Sequence, residues 1–104
     1  MAQFDVYTNP IVKLRESHPY VMVIQSHFLK RPIAVMAIPL ARMDEDTSPV
    51  TTLNPRLDVA GETLVLETLT IGSYEPGDLR RPVANLQADA TAVWDALDFA
   101  LHGH

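Results

Sequence analysis

The hydrophobic period of this chain changes once, near Asp89, and that change limits the folds open to it. Upstream, apolar residues alternate or gather in short β-branched runs. Downstream, Ala90, Val93, Trp94, Leu97, Ala100 and Leu101 recur at spacings of three and four. Period two belongs to strands and period 3.6 to one face of a helix. The pattern predicts about five or more antiparallel strands followed by one C-terminal helix, with Asp89 as N-cap and Gly103 at the helix C-terminus.

The strands can be placed by their flanks. "QFDVYT", Gln3 to Thr8, alternates, with Phe4 and Val6 on one side and Asp5 and Tyr7 on the other, and reads as half-buried until Asn9-Pro10 ends it. Ile11 to Pro19 has no period and is expected to be a long surface loop. "YVMVIQS", Tyr20 to Ser26, is almost wholly apolar and predicts a central strand. Ile33 to Pro39 predicts another, with pairing ending or bulging at Pro39, which has no N–H to donate. Arg42 to Val50 reads as a solvated loop. Leu57 and Val59 open a hairpin that turns at Ala60-Gly61, and Thr63 to Ile71 follows as one long strand. "GSYEPGD" reads as a loop. Leu79 to Leu86 is ambiguous, because Pro82 opposes a helix interior.

The 104 residues suit a single domain, 1–104. A net charge of −5 argues against a surface built to neutralise phosphates, and only Lys30-Arg31 and Arg80-Arg81 set two cations side by side. An acidic chain of this kind more readily meets a basic protein. The absence of cysteine excludes disulfides, thiolate metal sites and cysteine nucleophiles. No apolar run approaches a bilayer span and no signal-peptide pattern opens the chain, so a cytoplasmic protein without membrane contact is expected.

Motifs for chemistry are sparse. The histidines are His18, His27, His102 and His104. His102 and His104 point apart on a helix and to one side only if extended, and no third ligand has a spacing to complete a metal site. No nucleophile elbow, Walker loop or dinucleotide fingerprint is present. Asp44-Glu45-Asp46 reads as a solvated turn. Trp94 is expected to fill the groove between helix and sheet. Ala92, Ala96 and Phe99 form a second apolar helix edge that could face a partner subunit.

Taken in order, "QFDVYT", "VIQS" followed by two bulky apolar residues, "AIPL", and the "LNP" and "VAGETLVLETLTIGSYEP" stretches resemble the CcdB plasmid-maintenance toxins, as does the closing helix with its late glycine. The similarity runs over almost the whole chain, with insertions implied between Asn9 and Pro19. It implies a mainly β, α+β fold: an SH3-like barrel of antiparallel strands with a small extra sheet and a C-terminal helix. It also implies a homodimer that is not an enzyme and needs no cofactor or metal. Such toxins bind the A subunit of DNA gyrase and trap its covalent cleavage complex with DNA. A cognate antitoxin neutralises them, and the toxin reaches operator DNA only through the antitoxin.

In that family the helix end is the gyrase-binding surface, formed by an asparagine, a bulky apolar residue, a tryptophan, a glycine and an isoleucine. The corresponding positions here are Asp98, Leu101, His102, Gly103 and His104, joined by Phe28 and Leu29 after the "QS" strand end. Only the glycine is retained as such. Histidine for tryptophan removes aromatic area, and aspartate for asparagine loses a donor and adds a charge. Two alternatives follow. One is a relative that has lost gyrase poisoning and keeps antitoxin binding. The other is a MazF-like endoribonuclease toxin, for which Arg15, Glu16 and His18 are the candidates by residue type.

Overall fold

The computed structural model describes residues 1–26, 33–44 and 51–103. The strands are β1 (Asp5–Thr8), β2 (Tyr20–Val23), β3 (Val35–Arg42), β4 (Arg56–Val59), β5 (Glu62–Leu66), β6 (Gly72–Tyr74) and β7 (Ala84–Asn85), and the helix α1 is Ala90–His102. Every pairing is antiparallel, in the order β4-β5-β3-β2-β1-β7, with β6 also on β3. The result is a nearly closed, barrel-like sheet with one C-terminal helix, the mainly β, α+β architecture expected. The β4–β5 hairpin pairs with the far end of β3 and so continues the same sheet, where a small extra sheet was expected.

The long strand β3 organises the rest. One edge pairs with β2 along its length, from Tyr20↔Leu40 to Val23↔Ala37. The other edge is shared: Val35, Met36 and Ala37 pair with β6, and Leu40, Ala41 and Arg42 pair with β5. Pro39 sits between these two ladders. Its carbonyl accepts the Glu67 N–H at 3.0 Å, so its missing donor faces the gap where the partner changes. The expectation that pairing would end or bulge at Pro39 is therefore corrected: Pro39 pairs in register with Val21, and β3 runs on to Arg42.

The same division breaks up the predicted strand from Thr63 to Ile71. β5 stops at Leu66. The Thr68 hydroxyl donates to the Leu53 carbonyl at 2.5 Å and the Thr70 N–H to the Glu67 carbonyl at 2.9 Å, which turns the chain into a 3-10 turn at Thr68–Thr70. The chain then rejoins the other half of β3 as β6. "GSYEPGD" is accordingly a short strand followed by a 3-10 turn at Pro76–Asp78, not a loop throughout. The hairpin turn lies where predicted: Ala60 (φ 52°) and Gly61 (φ 82°) are both left-handed, as a two-residue I′ turn requires.

Both faces of the sheet are covered, which is why Tyr20–Ser26 shows no alternation. Phe4, Val6, Met22, Ile24, Ile38 and Leu40 form one core with Leu57, Leu64, Leu66 and Val93 of α1. Tyr7, Val21, Val23, Val35, Ala37 and Leu79 form the second, with Tyr74 packed on it. β1 is thus buried on both sides rather than half-buried. The ambiguous stretch from Leu79 to Leu86 serves both cores: Leu79 enters one and Leu86 the other, with β7 between them. Among the described residues no helix is long and apolar enough to cross a membrane.

Candidate binding surface at the end of the helix

α1 is fixed firmly at its start. Asp89 occupies the N-cap position but makes no side-chain cap bond; a 3-10 turn at Gln87–Asp89 leads into the helix instead. Val93 and Ala96 are fully buried, and Ala90 and Leu97 pack against the core under the helix. Burial of Ala96 removes it from the proposed partner-facing edge with Ala92 and Phe99. Trp94 stacks edge-on against Phe4, with ring centroids 5.4 Å apart at 68°, yet remains 42% exposed. It therefore lies at the rim of the groove rather than filling it.

Phe4 is an unusual platform. It is 1% exposed and has φ 70°, a left-handed conformation that costs a bulky residue on the order of 1–2 kcal/mol. Its N–H donates to the Val23 carbonyl at 2.7 Å and its carbonyl accepts the Leu86 N–H at 3.0 Å. These two bonds and the burial of its ring hold the strained residue beneath α1.

The far end of α1 is different. Asp98, Leu101 and His102 stand at i, i+3 and i+4, so they share one side of the last turn. All three are exposed, and Leu101 is 75% exposed. Gly103 ends the helix in the left-handed conformation (φ 79°), its N–H donating to the Phe99 carbonyl at 2.9 Å. A side chain at Gly103 would meet nothing within 4 Å, so only the backbone conformation favours glycine here. The helix dipole favours a cationic side chain in this turn, where His102 stands. Of the residues assigned to this surface, Asp98, Leu101, His102 and Gly103 come together. Phe28, Leu29 and His104 lie outside the described residues, as do His27, Glu45 and Asp46.

The ribonuclease candidates are tied into their own loop. Arg15 Nε donates to the Asn9 carbonyl at 2.6 Å, the Glu16 carbonyl accepts from Arg42 Nη1 at 2.6 Å, and His18 Nε2 contacts Glu67 Oε1. Buried Asn9 anchors this loop, donating from Nδ2 to the His18 carbonyl and accepting from the Ile11 N–H, each at 2.9 Å. Among the described residues no three histidine, aspartate or glutamate side chains gather as metal ligands.

No curated protein matches the sequence at the threshold applied. The sequence profile described as the CcdB protein matches residues 3–103, nearly the full 104. The strand order, the hairpin and the capped terminal helix thus sit inside one continuous family match, and the chain belongs to the CcdB family of toxins.

Proposed function

We propose that the protein is the toxin of a type II toxin–antitoxin module, acting in the cytoplasm as a homodimer that binds the DNA gyrase A subunit and traps its cleavage complex. A cognate antitoxin neutralises it, and operator DNA is reached only through that antitoxin. The observation that carries this reading is the CcdB family match over residues 3–103, and the exposed end of α1 agrees with it. Within a whole-length CcdB family match, Leu101 projects three-quarters exposed beside Asp98 and His102, above a glycine cap. An exposed leucine on a capped turn is a ready apolar anchor for a partner, because no contact must be broken before binding. Phe28, Leu29 and His104 complete the proposed surface.

The test is a gyrase–DNA cleavage assay with gyrase from the same organism. The expected result is accumulation of double-strand breaks, lost when residues 102–104 are deleted, with folding and antitoxin binding retained. His102 motivates a second reading. A histidine offers a smaller aromatic face than the family tryptophan, and a hot spot of this kind carries roughly 2 kcal/mol, about thirty-fold in affinity. If the protein forms no cleavage complex while His102→Trp does, it is a relative that has lost poisoning, and tight binding of the antitoxin by the unaltered protein completes that reading. If neither protein does, the gyrase reading is wrong.

A further inference from the structure

The exposed side of α1 does not begin at its last turn. Trp94, Asp98, Leu101 and His102 follow one another at spacings of four, three and one. At 3.6 residues per turn the four fall within a sector of roughly 100°. All four are exposed. The partner surface proposed at the end of the helix therefore continues back along the same side, by about 10 Å, to Trp94. His102 offers a small ring at the last turn, and Phe99 is half-buried. The large aromatic face exposed on α1 is that of Trp94, the chain's single tryptophan.

Two properties set this residue apart. The first is that it is held. Its ring meets the buried ring of Phe4 edge-on, and Phe4 is itself fixed by bonds to the Val23 carbonyl and the Leu86 N–H. An aromatic side chain fastened on one side and open on the other loses little freedom when a partner arrives. The second is its acidic surroundings. Asp98 stands one turn further on, and helical side chains lean toward the N-terminus, so Asp98 leans back toward the turn that carries Trp94. Asp95 adds a second exposed carboxylate, and α1 contains neither lysine nor arginine. The ion pairs among the described residues, His18–Glu67 and Arg42–Glu62, involve neither aspartate. An indole face beside a carboxylate is matched best by arginine. Its planar guanidinium stacks on the ring while its N–H groups donate to the carboxylate. Lysine is a compact, strongly hydrated point charge without that plane. An apolar partner side chain would leave the carboxylate desolvated and unpaired.

We propose that Trp94 and Asp98 together receive an arginine side chain of the partner that binds α1, so that the interaction surface of this chain reaches two turns up the helix from Leu101. The proposal rests on the gyrase reading for the identity of that partner. The net charge of −5 favours approach by a basic surface. Leu101 supplies the apolar anchor at one end of the stripe, and Trp94 supplies the stacking face at the other.

The experiment measures the affinity of the full chain for the gyrase A subunit by surface plasmon resonance. Trp94→Leu keeps apolar area and removes the aromatic face, and should weaken binding about thirty-fold, the worth of a desolvated cation–π contact. Trp94→Phe keeps a weaker ring and should lose less. Asp98→Asn should weaken binding several-fold. Hydroxyl-radical footprinting of the unaltered protein, read by peptide mass, needs no variant: Trp94 should be oxidised in the free protein and protected in the complex, while Val12, 69% exposed in the loop after β1, stays open. Equal oxidation of Trp94 with and without gyrase A overturns the proposal. So does undiminished affinity in folded Trp94→Leu or in Asp98→Asn, and in each of these cases the gyrase reading stands. Failure of the unaltered protein to bind gyrase A overturns both.

Discussion

The two faces of the sheet are sealed differently. Beneath α1 the core is built from aliphatic residues around the strained ring of Phe4, and Trp94 closes its rim. On the opposite face the core carries phenols. Tyr7 is almost wholly buried among valines, and Tyr74 packs beside it from β6. The Tyr7 hydroxyl reaches Asp5 Oδ2 at 3.5 Å, and Asp5 is further tied to Asn85 and to the Ala2 N–H. The helix face thus depends on shape and area, and the other face adds ionisable groups. The helix face also carries an element that outruns its own support. α1 is anchored through Leu97 and then extends its last turn into solvent, so the residues that hold the fold and those proposed to meet a partner, Trp94 apart, lie on one helix without overlapping.

The largest expected effect comes from removing the platform. Phe4→Ala deletes a buried aromatic ring and its edge contact with Trp94, and large-to-small changes of this kind cost about 3–5 kcal/mol. Urea unfolding should show the midpoint falling with little change in slope. A loss below about 1 kcal/mol would mean that α1 is held by Val93 and Ala96 alone and that the stacked rings contribute little.

These contrasts were legible in the sequence to different degrees. The strand-to-helix change at Asp89, the Ala60-Gly61 turn and the Gly103 cap all follow from local chemistry, and each stands where the pattern places it. Pro39 and the Thr63–Ile71 stretch did not read correctly, because β3 changes partner halfway along and local sequence carries no record of which neighbour comes next. Trp94 and Ala96 exchanged their expected burial, since a stripe drawn on a helical wheel does not say where the rim of a groove lies. The proposal for the helix end rests on family resemblance alone: an exposed leucine by itself carries no signal. The contact of His18 with Glu67 joins positions 49 apart, and no spacing rule anticipates it.

A smaller effect tests how far the last turn of α1 depends on its cap. Gly103→Ala forces a left-handed alanine and should cost about 1 kcal/mol locally. Because no atom crowds the position, the cost should appear as faster amide exchange in the turn containing Phe99 to His102, with the unfolding midpoint of the sheet nearly unchanged. A large fall in that midpoint would show that the helix end supports the fold after all.

The opposite face should respond to alkali. Burial, followed by the charge of Asp5 and the hydrogen bond to it, raises the Tyr7 phenol above its usual value of about 10, and burial alone raises that of Tyr74. A group that binds its proton more tightly when folded stabilises fully below the unfolded value, and that contribution is lost as pH rises through the folded one. Stability should therefore hold steady up to about pH 9 and decline above about pH 10. Tyr7→Phe should flatten the decline more than Tyr74→Phe does. An unchanged slope in Tyr7→Phe would place the alkaline sensitivity elsewhere.

The smallest effect on stability should accompany the largest effect on activity, and this sharpens the comparison within α1 itself. Leu101 is 75% exposed, so Leu101→Ala should change unfolding free energy by no more than about 0.5 kcal/mol. If the end of α1 is a partner surface, the same change removes an apolar anchor of roughly 2 kcal/mol, a thirty-fold loss of gyrase affinity measurable by surface plasmon resonance. Val93→Ala, buried on the other side of the same helix, should invert the pattern: the fold weakens by 1 kcal/mol or more while affinity per folded molecule is retained. Equal losses of stability and affinity in both variants would mean that the helix acts as one unit. The separation between a holding half and a binding end would then be geometric only, without energetic content.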